Sequence, residues 1–242
     1  MKKIVILVSG RGSNMIAIAE ACRRQGWPAQ IVAVIASRPD TQALRDASEL
    51  GLNTRVLDAA GFTDRAQYDA RLADLVDGFE PSLVVLAGYM RILGDDFVDR
   101  FAGRLVNIHP SLLPAFPGLR SHQQALRAGV KIHGATVHLV GRELDCGPII
   151  IQAAVPVLAG DDEQSLAARV LRAEHRIYPL AIRWLVEERL EFDEQMVRLR
   201  AQPGESQWLA CFDTLEEDTA ALDADHADLR SARAPRLTGA LR

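Results

Sequence analysis

The segment 107–118, NIHPSLLPAFPG, holds the densest run of residues able to do chemistry. Asn107 and His109 stand two apart at the end of a predicted strand over 104–110, so both side chains point to one face. An amide that donates a hydrogen bond and an imidazole that takes up a proton suit a developing oxyanion and a leaving nitrogen. Pro110, Pro114 and Pro117 stiffen the loop that follows. On the next predicted strand, 132–140, Thr136 and His138 share a face, and Ala135, Val137 and Leu139 take the other. The segment ELDCGPIIIQ (143–152) then places Asp145 in a glycine-containing loop before a further strand. A lone histidine at a strand end is more often a packed structural residue. An asparagine, two histidines and an aspartate on strand ends and adjoining loops favour a site.

A second candidate lies after the first strand, where Gly10-Arg11-Gly12-Ser13-Asn14 runs into a helix. Such a turn presents free backbone N–H groups at the positive end of a helix, which suits a phosphate. A tight turn capped by Ser13 accounts for the same residues equally well. A dinucleotide fingerprint would need a third glycine where Met15 stands and an acid closing the second strand. That strand ends Ala36-Ser37-Arg38, so nicotinamide binding is not expected.

The elements that must position these residues alternate along the first 200 residues. KIVILVS (3–9), IVAVIAS (31–37) and SLVVLAG (82–88) are continuous apolar runs, the pattern of strands covered on both faces of a parallel sheet. Helical patterns occupy 14–25, 41–50 and 64–79, with Ser13-Asn14 as capping residues for the first. A short helix near 121–128, a strand over 148–157 and a long helix over 162–190 follow. Alternation of this kind predicts an α/β fold: a Rossmann-like, mostly parallel twisted sheet with helices on both faces and sites at the carboxyl ends of its strands. From about Pro203-Gly204 the chain becomes rich in Ala, Asp and Arg with few large apolar residues. The expected division is therefore a domain over 1–200 and an acidic, partly disordered appendage over 201–242.

Composition bounds the function classes. The chain has 242 residues, 48% hydrophobic and 25% charged, with mean hydropathy +0.01, ordinary globular material. No apolar run approaches the roughly 18 residues of a membrane span. The apolar stretch after the basic start runs into a glycine turn without a small-residue cleavage site, so it reads as a buried strand rather than a signal peptide. Cys22, Cys146 and Cys211 are too scattered for a disulfide framework or a metal site, which fits a reduced, cytoplasmic protein. Of the net charge of −4, all lies in 201–242, where eight acids face four arginines; no basic footprint for nucleic acid is present.

The residues Asn107-Ile108-His109-Pro110-Ser111-Leu112-Leu113-Pro114, followed by Asp145-x-Gly147-Pro148, resemble the folate-dependent formyltransferase family. Ser9-Gly10-x-Gly12-Ser13-Asn14, VVLAGYMRIL (84–93) and the pair Glu174-His175 extend the resemblance over about residues 1–200, most strongly to the branch that formylates glycinamide ribonucleotide in purine synthesis. The resemblance implies Asn107, His109 and Asp145 as catalytic residues, supported by Thr136 and His138. It implies Gly12, Ser13 and Asn14 around the ribonucleotide phosphate and Glu174 at the ribose hydroxyls. It implies Met90, Arg91, Ile92 and Leu93, with Arg65, Val140 and Leu144, around the pteridine of 10-formyltetrahydrofolate, a consumed co-substrate. Without it, Met90, Ile92 and Leu93 would read as core and Glu174 as a solvated helix residue.

Small molecules are thus the expected partners of a monomer or homodimer, with no metal, nucleic acid or membrane. The chain departs from the family at Leu171, where a basic residue often serves the phosphate; Arg169 and Arg172 are adjacent. No motif supports Cys146 as a nucleophile. Three other readings are weighed. A formyltetrahydrofolate deformylase would deliver the formyl group to water, but carries a domain ahead of its catalytic one. A methionyl-tRNA formyltransferase needs a basic C-terminal domain. A regulatory nucleotide-binding module would have no use for the catalytic trio.

Overall fold

The apolar run near the N-terminus forms β1 (Lys2–Val8), with Ile4 to Val8 wholly buried. In the computed structural model, which describes residues 1–193 and 196–211, β1 is an inner strand of an eight-stranded sheet. To one side lie β2 (Ala29–Ala36) and β3 (Thr54–Val56); to the other β4 (Leu83–Leu86), β5 (Leu105–His109), β6 (Ile132–Leu139) and β7 (Ile149–Pro156). Only β6 runs against its neighbours; every other pairing in this sheet is parallel, as the unbroken apolar runs require. The order reverses on either side of β1, so the crevice at the carboxyl ends of β1 and β4 is the switch point where α/β sheets hold ligands.

Helices cover both faces. Val5, Leu7, Val84, Leu86 and Leu105 pack with Tyr68, Leu72 and Val76 of α3 (Arg65–Asp77) and Phe97 of α4 (Asp95–Arg100). On the opposite face α1 (Ser13–Gln25) packs on α6 (Glu163–Val186), which also covers β6 and β7. The helices α2 (Gln42–Glu49) and α5 (Ser121–Ala128) flank these layers. Asp162 caps α6 and its third residue, Ser165, returns the bond to the Asp162 backbone, satisfying two free N–H groups. The buried Tyr178 hydroxyl donates toward the carbonyls of Leu86 (2.9 Å) and Val106 (3.1 Å), pinning α6 to the last residue of β4 and the first half of β5.

Three sequence expectations need adjusting. α1 is not capped by Ser13 or Asn14: its N-cap is Gly12, at φ 78 with no side-chain bond, and Ser13 and Asn14 lie within the first turn. α6 stops at Val186, with Glu188 in the left-handed region (φ 55), and β8 (Leu190–Asp193) and β9 (Met196–Leu199) form a hairpin. The compact unit also runs to Ala210 rather than 200, because β10 (Trp208–Ala210) adds a parallel edge strand to β7. Gln207 secures it, donating to the Ile150 carbonyl (2.9 Å) and the Val197 carbonyl (3.0 Å). The disorder expected of the tail beyond residue 211 lies outside the described residues.

Candidate active site

The antiparallel register of β5 and β6 sets Asn107 opposite His138 and His109 opposite Thr136, so two alternating pairs become one four-residue patch. His138 Nδ1 faces the Leu139 carbonyl at 2.8 Å and must carry the proton there. Nε2 is then an acceptor, and the Asn107 Nδ2 amide donates to it at 3.3 Å. This fixes which end of the Asn107 side chain is the donor. Burial keeps the His138 pKa below its ordinary value, so the ring stays neutral and the arrangement holds. Thr136, wholly buried, donates to the Ser111 carbonyl (2.7 Å) and accepts from the Leu113 N–H (3.0 Å), tying the proline-rich loop to the sheet.

His109 lies between two acceptors. Its Nδ1 is 3.3 Å from Asp145 Oδ1, and its Nε2 is 3.0 Å from the Phe116 carbonyl. An acceptor at each nitrogen favours the imidazolium form, which donates twice. Burial pulls the His109 pKa down, but the Asp145 carboxylate and the Phe116 carbonyl outweigh it, with Glu174 contributing charge, and the net shift is upward. Burial likewise opposes the Asp145 charge, yet the bonds to His109 and to the Gly118 N–H (2.6 Å) bring its pKa below the usual carboxylate range. Asp145 sits in a tight loop at φ 51. Gly147, two residues on, has φ 138, and a Cβ there would stand 2.1 Å from the Leu139 carbonyl oxygen, so no other residue fits.

At the glycine turn, a Cβ on Gly12 would come within 2.5 Å of the Ala43 Cβ on α2, so the turn packs against that helix through bare backbone. Asn14 reaches across to α6, where its Nδ2 donates to Glu174 Oε2 at 2.7 Å. Glu174 is 8% exposed, and burial pushes its pKa up to about 7 against the pull of Asn14. It is therefore no solvated helix residue. Ser13 is half-buried beside them.

The 88–94 segment leaves the end of β4 toward solvent. Met90 is 74% and Ile92 60% exposed, and Leu144 is 57% exposed across the site's rim, which overturns the core reading for Met90 and Ile92. Leu93 and Val140 instead pack partly against the α3 core. The Arg91 guanidinium lies 4.6 Å from the centre of the Tyr68 ring. Arg65 Nε stands 3.5 Å from Asp69 Oδ2, the oxygen that accepts the Gly94 N–H at 2.8 Å. The Met90 N–H donates to Ser9 Oγ (3.0 Å), itself 2.8 Å from Ser37 Oγ, so this segment is tied to the β1 turn. Sequence reasoning named Ser9 only as part of a motif and missed Tyr68, Asp69 and Ser37: each is a buried polar residue in an otherwise ordinary helix or strand pattern, and nothing local marks it. Among the described residues no group of three or more His, Cys, Asp or Glu could hold a metal, and no helix is long and apolar enough to cross a membrane.

Asn107 and His109 close β5 at the carboxyl end of a mostly parallel α/β sheet, one strand beyond the switch point between β1 and β4. Residues 2–182 of this α/β chain match the family described as formyl transferase. The chain belongs to that family. It is 48% identical over 199 residues to the phosphoribosylglycinamide formyltransferase of Escherichia coli (strain K12), covering 82% of this chain and 94% of that one. It is 39% identical over 192 residues to the trifunctional purine biosynthetic protein adenosine-3 of Homo sapiens, covering 79% of this chain and 19% of that protein. The solved structure of glycinamide ribonucleotide transformylase 1 from Symbiobacterium toebii has a TM-score of 0.80 at 46% identity, over 82% of this chain and 94% of that chain.

Proposed function

We propose that this chain transfers the formyl group of 10-formyltetrahydrofolate to the amino group of glycinamide ribonucleotide, a step of purine synthesis. The observation that carries the mechanism is His109 held between Asp145 and the Phe116 carbonyl, beside an Asn107 amide oriented by His138. The amine attacks the formyl carbon and the carbonyl π electrons move to oxygen. Asn107 Nδ2 and the His109 Nε2–H stabilise that oxyanion, the formyl oxygen taking the place of the Phe116 carbonyl. As the oxyanion collapses, N10 takes up a proton and leaves as tetrahydrofolate, and the new formamide loses the amine proton. Asp145 holds the imidazolium charged and aimed throughout.

Gly12, Ser13 and Asn14 take the phosphate, Glu174 the ribose hydroxyls, and the exposed Met90 and Ile92 with Leu144 the pteridine. The experiment is incubation with 10-formyltetrahydrofolate with and without the ribonucleotide, following tetrahydrofolate. Product forms rapidly only with the ribonucleotide; equal rates without it would identify a hydrolase. None of the relatives above carries a hydrolase name.

A further inference from the structure

A phosphate ester is close to a dianion at neutral pH, whereas the N-terminus of a helix offers only about half a positive charge. Arg169, 8% exposed, is closed in a two-point ion pair with Asp161 (2.7 and 3.0 Å) and also donates to the Pro156 carbonyl (3.1 Å). Arg172 and Arg176 stand two residues on either side of Glu174 on α6. At about 100° per residue they project from the face opposite the buried Glu174 carboxylate, and both are exposed. Arg91 lies over Tyr68, and Arg38 donates through Nη2 to the Ser9 carbonyl at 2.7 Å.

Arg11 differs from all of these. It sits inside the turn between two glycines, is exposed, and lines an open cleft of about 1080 Å³ with Ser9, Gly10, Arg38 and Arg91. Among the described residues it has no hydrogen bond or ion pair. A separate feature of the same turn points to a ligand: Asn14, 8% exposed, has its Oδ1 buried with no hydrogen-bond partner among the described residues, while its Nδ2 is held by Glu174. An orphaned buried acceptor costs stability until a donor such as a sugar hydroxyl reaches it.

We propose that Arg11 is the residue that neutralises the ribonucleotide's phosphate, with Arg38 bracing the carbonyl end of the turn behind it. This rests on the function proposed above. Unlike Arg38, Arg91, Arg169, Arg172 and Arg176, it lies in the segment presenting the N–H groups, with no hydrogen bond or ion pair among the described residues.

The test is steady-state kinetics of the full chain on glycinamide ribonucleotide and on its phosphate-free ribonucleoside, for wild type, Arg11→Gln, Arg11→Lys and Arg172→Gln. In Arg11→Gln the KM for the ribonucleotide rises about 10- to 100-fold, the range of a lost charged hydrogen bond. Its kcat and its KM for the folate stay within about twofold, and kcat/KM on the phosphate-free substrate matches wild type, because no phosphate contact remains to lose. Arg11→Lys recovers most of the binding, and Arg172→Gln behaves as wild type. A ribonucleotide KM unchanged in Arg11→Gln, an equal loss on both substrates, or the loss appearing in Arg172→Gln instead overturns the proposal. A wild-type chain forming no product from the ribonucleotide overturns the function itself, before any variant is compared.

Discussion

His109 on β5 and Asp145 in the loop after β6 face each other at 3.3 Å, with side chains 7% and 8% exposed. The pair works as one unit because each holds the other in its charged form: the His109 pKa is raised and that of Asp145 lowered. Asp145→Asn is therefore expected to lower the His109 pKa and cut kcat by roughly 10²-fold or more, the usual contribution of an acid–base group, with KM changing far less. His109→Ala is similarly damaging, and the double variant costs clearly less than the product of the two losses. NMR titration of His109 with a kinetic cycle checks this; fully multiplicative losses would show Asp145 acting independently.

The same pair sets a pH window for stability. A raised His109 pKa contributes stability that is full below the ordinary imidazole value and is lost as pH rises through the folded-state value. A lowered Asp145 pKa contributes stability present above the ordinary carboxylate value and lost as pH falls through its folded-state value. The stability difference between wild type and Asp145→Asn should thus be largest between about pH 4 and 6.5, measured by denaturant unfolding across pH. A difference that keeps growing above pH 8 would contradict it.

Glu174 titrates near the working range because burial pushes its pKa up to about 7. If the carboxylate accepts the ribose hydroxyls, ribonucleotide affinity falls as pH drops below about 7. Calorimetry from about pH 6.5 to 8.5, above the second phosphate ionisation near pH 6, should show this slope in wild type and a weaker, shallower profile in Glu174→Gln.

His138→Phe removes the acceptor that orients the Asn107 amide while leaving Asn107 in place. We expect kcat to fall about tenfold, the scale of a mispositioned oxyanion donor that is not deleted, with KM for both substrates within about threefold. A KM effect exceeding the kcat effect would place His138 in substrate binding.

Gly12 and Gly10 form a matched pair. Gly12→Ala drives a Cβ to 2.5 Å from the Ala43 Cβ and 2.8 Å from its Cα at φ 78, whereas a Cβ on Gly10 meets nothing within 4 Å. Gly12→Ala should cost about 2–3 kcal/mol of stability, from overpacking and left-handed strain together. Gly10→Ala should stay within about 1 kcal/mol. Thermal unfolding of both decides it.

The C-terminal segment separates in the same way. Deleting 212–242 should leave kcat within about threefold, while deleting 207–242 removes β10 and the bonds of Gln207 to Ile150, Val197 and Leu199. The longer deletion should lose about 2–4 kcal/mol, at roughly 1 kcal/mol for each hydrogen bond together with the lost strand pairing. Equal stabilities would mean the edge strand adds nothing.

Local rules made part of this protein readable before any fold was known. Unbroken apolar runs specified a parallel sheet, and alternation put Asn107 with His109 and Thr136 with His138 on common faces. The segments NIHPSLLP and Asp145-x-Gly147-Pro148 already resembled those of formyltransferases. Local pattern is silent on register, so only the tertiary structure set Asn107 against His138 and gave that histidine the task of orienting the amide. It also brought Asn14 to Glu174 across two helices, and so turned an apparently solvated glutamate into a buried one. The edge strand Trp208–Ala210 was illegible for a related reason: three residues carry no periodicity, and only the open edge of β7 makes them a strand. Burial, register and long-range charge are properties of pairs of segments, and no single segment encodes them.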